Sequence, residues 1–130
     1  MLLTSFDPFS TYRTSRPALP MDGIRREEDV VLRFDLPGVG QENIEVSVDR
    51  GVLTVTARRD EEKTDSDRPF IRERVTGSLR RRVYLGDAYD ADKVEAAYEN
   101  GVLTVRVPLA EEAKARKVEI GTDTKKMIAA

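Results

Sequence analysis

The sequence lacks three residue types that supply much of protein chemistry, because its 130 residues include no cysteine, no histidine and no tryptophan. Without cysteine there is no disulfide, no thiolate nucleophile and no cysteine-ligated zinc or iron–sulfur centre. Without histidine the commonest general base and the usual transition-metal ligand are missing. Any catalysis would rest on carboxylate, lysine or tyrosine chemistry, and we expect no metal and no cofactor.

Neither sign of charge dominates, since 22 Lys and Arg face 24 Asp and Glu, for a net charge of −2. Nucleic-acid binders usually carry a basic excess, so we expect no nucleic-acid partner. There is no run of about 18 apolar residues, the length that a membrane span needs. Asp7 and Pro8 also interrupt the start of the chain before a signal-peptide core could form. We therefore expect a cytoplasmic protein with no membrane span.

Alternation of apolar and polar residues begins at residue 29 and recurs along the chain, with turn residues between the segments. A period of two is typical of strands that are buried on one face. Turns every 8–12 residues without a long helical pattern predict an all-β fold, an antiparallel immunoglobulin-like β-sandwich of six or seven strands. The alternating segments are 29–36, 44–48, 53–57, 77–85, 94–98 and 103–107.

The pentapeptide GVLTV occurs twice, at 51–55 and at 101–105. Five residues are too few to prove duplication. We interpret the repeat as two hairpins with one requirement, a glycine for the turn and then an alternating inward face.

The polar stretch 58–69 is long for a connection inside a sandwich. It is either a solvated surface loop or an extended connection that carries a short strand, 70–75, away from its own sheet.

Alternation places Arg81 on the apolar face of its strand, with Leu79, Val83 and Leu85. An inward charge is costly unless a carboxylate meets it. Arg81 is therefore either an edge residue whose head reaches water or half of an ion pair with another subunit.

Val118 and Ile120 are two branched apolar residues on one side of an extended triplet. They are either a chance pair in a polar tail or a pair of apolar side chains that dock in a groove at a sheet edge of a neighbouring subunit. The preceding stretch, 110–117, favours helix by propensity but has no apolar face to dock. In the irregular first 20 residues, Phe6, Phe9 and Tyr12 suggest either chance aromatics or an adhesive arm.

Evidence for an enzyme is weak. The adjacent glutamate pairs at 27–28, 61–62 and 111–112 lie in polar stretches where nothing would raise a carboxyl pKa. The stretch from Gly38 to Gly40 lacks the third glycine and the following helix of a dinucleotide loop.

Four motifs in order resemble the small heat-shock protein family. DLPGV occurs at 35–39, GSLRRR at 77–82 resembles the family's GSFxRR strand, and AAYENGVL at 96–103 matches its AxxxNGVL signature. Val118-Glu119-Ile120 resembles its C-terminal IxI motif, and FDPF at 6–9 is similar to an arm sequence of bacterial members. Gly86 stands where the family usually has proline, Leu79 replaces phenylalanine, and Ala115 replaces a common proline before the tail motif.

The resemblance implies an α-crystallin domain, here 21–108, between an arm at 1–20 and a C-terminal extension at 109–130. It implies a chaperone that holds unfolding proteins without ATP, in a homo-oligomer of strand-exchanged dimers. The implied dimer contacts are Phe70, Ile71 and Arg72 against a partner's Met21 and Ile24, with Arg81 at the interface. The implied tail-binding groove is Ile44, Val46, Val48, Val94 and Ala96, and Phe6, Phe9 and Tyr12 would contact clients.

Two other functions remain open from the sequence. One is a non-oligomeric co-chaperone adaptor built on the same sandwich. The other is a carboxylate hydrolase, which would need a buried acidic pair that the sequence does not indicate.

Overall fold

Seven strands form within residues 19–128, the part of the chain that the computed structural model describes. The predicted arm contacts Phe6, Phe9 and Tyr12 lie outside these residues. A five-residue helix, α1, follows the strands at Thr124–Ile128. The strands are β1 (Met21–Arg25), β2 (Asp29–Asp35), β3 (Ile44–Asp49), β4 (Val52–Arg59), β5 (Gly77–Tyr84), β6 (Glu95–Glu99) and β7 (Val102–Pro108).

The strands make two antiparallel sheets, in the orders β1-β2-β7-β6 and β3-β4-β5. The predicted antiparallel sandwich is therefore confirmed. Three sequential hairpin connections join β1 to β2, β3 to β4 and β6 to β7. β1, β3, β5 and β6 are edge strands within the described chain, and an edge strand offers unpaired backbone groups to other chains.

The core lies between the two sheets and consists mostly of the inward residues that alternation predicts, together with Leu19 and Val39 outside the strands. Phe34, Leu53, Val55 and Val105 are completely buried. Val31 departs from the prediction, since it is buried although alternation puts it on the outer face of β2. It lies opposite Ile24 on β1 and Arg106 on β7, whose side chains flank it on both sides. The other buried members are Leu19, Val30, Leu32, Leu36, Val39, Ala57, Leu79, Leu85, Leu103 and Val107.

Both copies of GVLTV begin at a tight hairpin turn. Arg50 and Gly51 in the first turn, and Asn100 and Gly101 in the second, all have positive φ, as a type I′ turn requires. The Gly51 carbonyl accepts a 2.7 Å hydrogen bond from the amide of Leu85, just after β5. The Gly101 carbonyl accepts a bond of the same length from the amide of Leu36, just after β2. A Cβ on Gly51 would lie 2.7 Å from the Gly86 carbonyl oxygen, so close approach adds to the need for glycine.

Three segments differ from the sequence-based expectation. β4 runs to Arg59, so the polar loop begins at residue 60 and not at 58. β1 precedes the first alternating segment and pairs with β2 through a turn at 26–28. The stretch 110–117 forms only a 3-10 turn at Glu111–Ala113, consistent with its lack of an apolar face.

Candidate docking grooves and dimer edges

A groove opens where the edge strand β3 of one sheet lies beside the edge strand β6 of the other. Its cavity has a volume of about 180 Å³. Of the predicted groove residues, Ile44, Val46 and Ala96 line it. Val48 faces a different cavity, and Val94 is half-buried against the core. Gln41, Ala97, Tyr98 and Leu103 also line the groove and were not predicted.

Tyr98 joins the wall of this groove to the turn after β2. Its hydroxyl lies 2.6 Å from the Leu36 carbonyl oxygen and 2.7 Å from the Val39 carbonyl oxygen, so the two carbonyls share its single proton. One phenol thus satisfies the backbone of the DLPGV segment and fixes the ring at the groove. The inward position of Tyr98 in alternation was visible in the sequence, but its two acceptors 59 and 62 residues away were not.

The tail pair is exposed in the single chain. Val118 is 81% exposed and Ile120 is 97% exposed. The two residues therefore leave the groove of their own chain unfilled, although apolar side chains of this size favour burial.

The predicted dimer residues lie on two exposed features. Ile24 is 46% exposed on β1, while Met21 at the start of that strand packs partly against the core. Residues 70–75 form no strand within this chain, so the predicted short strand would need pairing with a second chain. There Phe70 is 93% exposed, Ile71 is exposed, and Arg72 forms a 2.5 Å ion pair with Glu61.

Arg81 lies on the inner face of β5, as alternation predicts, and is half-buried. Its Nη1 donates a 3.1 Å hydrogen bond to the carbonyl of Leu19, just before β1. Arg80 and Arg82 are exposed on the opposite face. Arg81 therefore joins the edge strand of one sheet to the chain that leads into the edge strand of the other, beside the predicted dimer edge.

Arg59 is a buried cation, although the sequence places it in the polar stretch 58–69. Its Nε donates to the Pro37 carbonyl at 2.9 Å and its Nη1 donates to the Val75 carbonyl at 2.8 Å. These bonds hold the last residue of β4, the turn after β2 and the end of the 60–76 loop together. Continued alternation through 53, 55, 57 and 59 was the signal that could have found it.

Asp29 is the second buried charged residue. Arg26 donates to both carboxylate oxygens, at 2.5 and 2.6 Å, and Arg106 donates to Oδ2 at 2.7 Å. The hydrogen bonds from Arg26, then from Arg106, together with both positive charges outweigh desolvation and lower the pKa of Asp29 to about 2. An arginine in the turn after β1 and an arginine on β7 thus stabilise one carboxylate at the start of β2.

Comparison with known proteins identifies the family that shares these features. The Hsp20/alpha crystallin family model matches residues 22–121. The chain belongs to this family. This small heat shock protein is 42% identical over 130 residues to 18 kDa antigen 2 of Mycobacterium avium, covering 92% of this chain and 93% of that protein. It is 44% identical over 109 residues to the 18 kDa heat shock protein of Streptomyces albus G, covering 82% and 76% respectively.

Solved structures agree with the family. A small heat-shock protein from Xylella fastidiosa, whose crystal structure is described as a distinct high order structure, superposes with a TM-score of 0.65 and 31% identity. The match covers 80% of this chain and 96% of that one. The predicted resemblance and α-crystallin fold are confirmed, and the family assigns this small heat shock protein a chaperone role in the stress response.

The family is one of chaperones rather than of enzymes. Within residues 19–128, no helix is long and apolar enough to cross a membrane. The same residues contain no cluster of three or more acidic side chains arranged to hold a metal ion.

Proposed function

We propose that this small heat shock protein holds unfolding proteins through exposed apolar surface and slows their aggregation without ATP. The observation that carries the proposal is the pairing of an unfilled apolar groove between β3 and β6 with an exposed apolar pair, Val118 and Ile120, on the same chain. A groove that can release its occupant can also accept an apolar segment of a client.

In this proposal the tail pair of one subunit docks in the groove of another. Burying two such side chains contributes roughly 3–6 kcal/mol. Ordering three residues costs about 1–2 kcal/mol each in backbone entropy. One docking event is therefore weak and reversible, and many in one assembly act together through effective concentration. Subunits exchange and grooves open to clients for the same reason.

The dimer is proposed to form by exchange of the 60–76 loop. Phe70 and Ile71 offer apolar surface that the single chain leaves in water, and residues 70–75 have backbone groups outside any sheet. The edge of β1 that faces away from β2 has no partner among the described strands. If the loop segment of one subunit added to the β1 edge of another, near Met21 and Ile24, the backbone groups of the segment and those of the β1 edge would pair with each other.

We further propose that the protein works in the cytoplasm and has no enzymatic activity of its own. Its partners would be unfolding polypeptides and copies of itself. The two buried charged residues support the lack of enzymatic activity, because Arg59 is held by two backbone carbonyls and Asp29 by ion pairs with two arginines.

The test is light scattering from a heat-aggregating client mixed with the purified protein, without nucleotide, beside a native mass measurement. We expect suppressed scattering and an assembly larger than a dimer. Undiminished scattering at a molar excess of the protein would overturn the holdase proposal. Suppression by a species that stays monomeric at every concentration would instead favour the co-chaperone adaptor.

A further inference from the structure

A second cavity, of about 220 Å³, lies at the far end of β3 from the tail-binding groove. Val48, Leu85, Tyr89 and Ala91 provide its apolar wall, and Gly86 has open space where a side chain would stand. Val46 in the first groove and Val48 in the second cavity are inner-face neighbours on one strand, about 7 Å apart. The second cavity therefore continues the surface on which the tail pair is proposed to dock.

The mouth of the second cavity carries charge as well. Arg50 lines it, but its Nε already lies 3.9 Å from the Asp49 carboxylate. Gly51 completes the turn there. The Asp87 carboxylate also lines the cavity, is exposed, and has no ion-pair partner among the described residues. An occupant with an apolar pair and a nearby cation would suit this cavity.

Helix α1 supplies those features. Met127 is 74% exposed and Ile128 is 72% exposed, and Lys125 is an exposed cation two residues before them. The described part of the chain gives this helix no apolar surface to pack on, and a helix of five residues is unstable without one. The apolar pair recurs seven residues after Ile120, in a tail that is otherwise polar.

We propose that Met127 and Ile128 of one subunit dock in the second cavity of another copy of this chain, with Lys125 facing Asp87. This second contact extends the proposed docking of Val118 and Ile120 and rests on it. With the chain extended from Ile120 to Thr124 and helical from there to Met127, the tail spans up to about 18 Å, which matches the length of β3, about 17 Å. The same tail can therefore fill both sites on one neighbour, and two linked contacts release more slowly than one.

The absence of native cysteine makes a direct test simple. One batch of protein carries Ala91→Cys and another carries Met127→Cys, and the two are mixed, allowed to exchange subunits and oxidised. A disulfide needs Cα atoms within about 7 Å, so only close docking links them. Because each chain holds one thiol, a 91–127 link can form only between subunits. Ser47→Cys replaces Ala91→Cys in the control, since Ser47 lies on the opposite face of β3.

A third mixture, Ala97→Cys with Glu119→Cys, reports docking of the tail pair itself without changing Val118 or Ile120. We expect links for 91–127 and for 97–119 and only background for 47–127. We also expect Met127→Ser with Ile128→Ser to speed subunit exchange on the order of tenfold.

The outcomes separate the two proposals. A 97–119 link without a 91–127 link above the control would overturn the second contact and leave the tail docking standing. Loss of both links would overturn both. A link found only inside single chains that carry both Ala91→Cys and Met127→Cys would overturn the assignment to a second copy.

Discussion

Ionisation of Asp29 makes the free energy of unfolding depend on pH. Its carboxyl has a pKa of about 2 in the folded chain, below its usual value near 3.9, because Arg26 and Arg106 bind the charged form. A lowered folded-state pKa stabilises the fold above the unfolded value, and that stability is lost as the pH falls from about 4 through about 2. We expect Asp29→Asn to lower the free energy of unfolding at pH 7 and to flatten its decline between pH 5 and pH 2.

Urea unfolding across that pH range measures the effect, and an NMR titration of the Asp29 carboxyl measures its pKa directly. Asp35→Asn, at the exposed end of the same strand, controls for the loss of one negative charge. A carboxyl that titrates near 4 would contradict the role of the two arginines.

Tyr98 acts at the same scale through hydrogen bonds instead of charge. Tyr98→Phe keeps the ring in the groove but leaves the Val39 carbonyl without its donor, while Leu36 retains only a 3.3 Å bond from the Val39 amide. Loss of a partner from a part-buried polar group costs about 1–3 kcal/mol, and we expect a decrease of that size in the free energy of unfolding. Tyr84→Phe, 69% exposed on β5, is the matched control and should change stability little. Equal stability of both variants would show that the phenol does not hold the turn.

At the scale of the element, alternation predicted most of the sandwich because burial on one face leaves a period of two in the sequence. It failed at the end of β4, where the inward position is occupied by an arginine. Arg59 continues the alternation of β4, but a charged residue next to a polar stretch indicates a loop. Only the folded chain brings the Pro37 and Val75 carbonyls to its guanidinium. Leu19 was likewise assigned to the arm, yet it is buried in the core. Alternation can indicate that a residue points inward, but it does not show which distant carbonyls will bind it, and an isolated buried residue such as Leu19 has no alternating neighbours.

The groove between β3 and β6 was likewise predicted only in part. Alternation placed Ile44, Val46 and Ala96 on inward faces, and only the family resemblance placed them together in one groove. Val48 was assigned to the same groove, but it faces the second cavity because Tyr89 and Ala91 come from the loop before β6 and not from the strand. Sheet order, which local sequence does not encode, decides which loop closes which end.

Arg81 links two elements, so its prediction concerns how edges assemble. If Arg81 forms the ion pair with another subunit, we expect Arg81→Ala to raise the dissociation constant of the dimer at least tenfold, because removing one partner of a buried, hydrogen-bonded charge pair costs about 2–5 kcal/mol. Analytical ultracentrifugation measures the constant, and thermal unfolding reports the loss of the bond to Leu19. Arg80→Ala removes an equal charge from the exposed face of the same strand and should leave the dimer unchanged. A normal, well-folded Arg81→Ala dimer would favour the reading of Arg81 as an edge residue that serves only its own chain.

At the scale of the whole molecule, assembly depends on contacts that are weak one at a time. Replacing both Val118 and Ile120 with alanine removes most of the apolar surface that the proposed docking buries, while the sandwich loses nothing, since both residues are exposed in the single chain. We therefore expect the double variant to keep its thermal unfolding midpoint and to fall to dimers in native mass spectrometry. Docking worth only a few kcal/mol per tail cannot survive the loss of most of that energy. Glu119→Ala, between the two positions, should retain the full mass. An unchanged mass in the double variant would mean that other surfaces hold the assembly, and the groove between β3 and β6 would then be free for clients at all times.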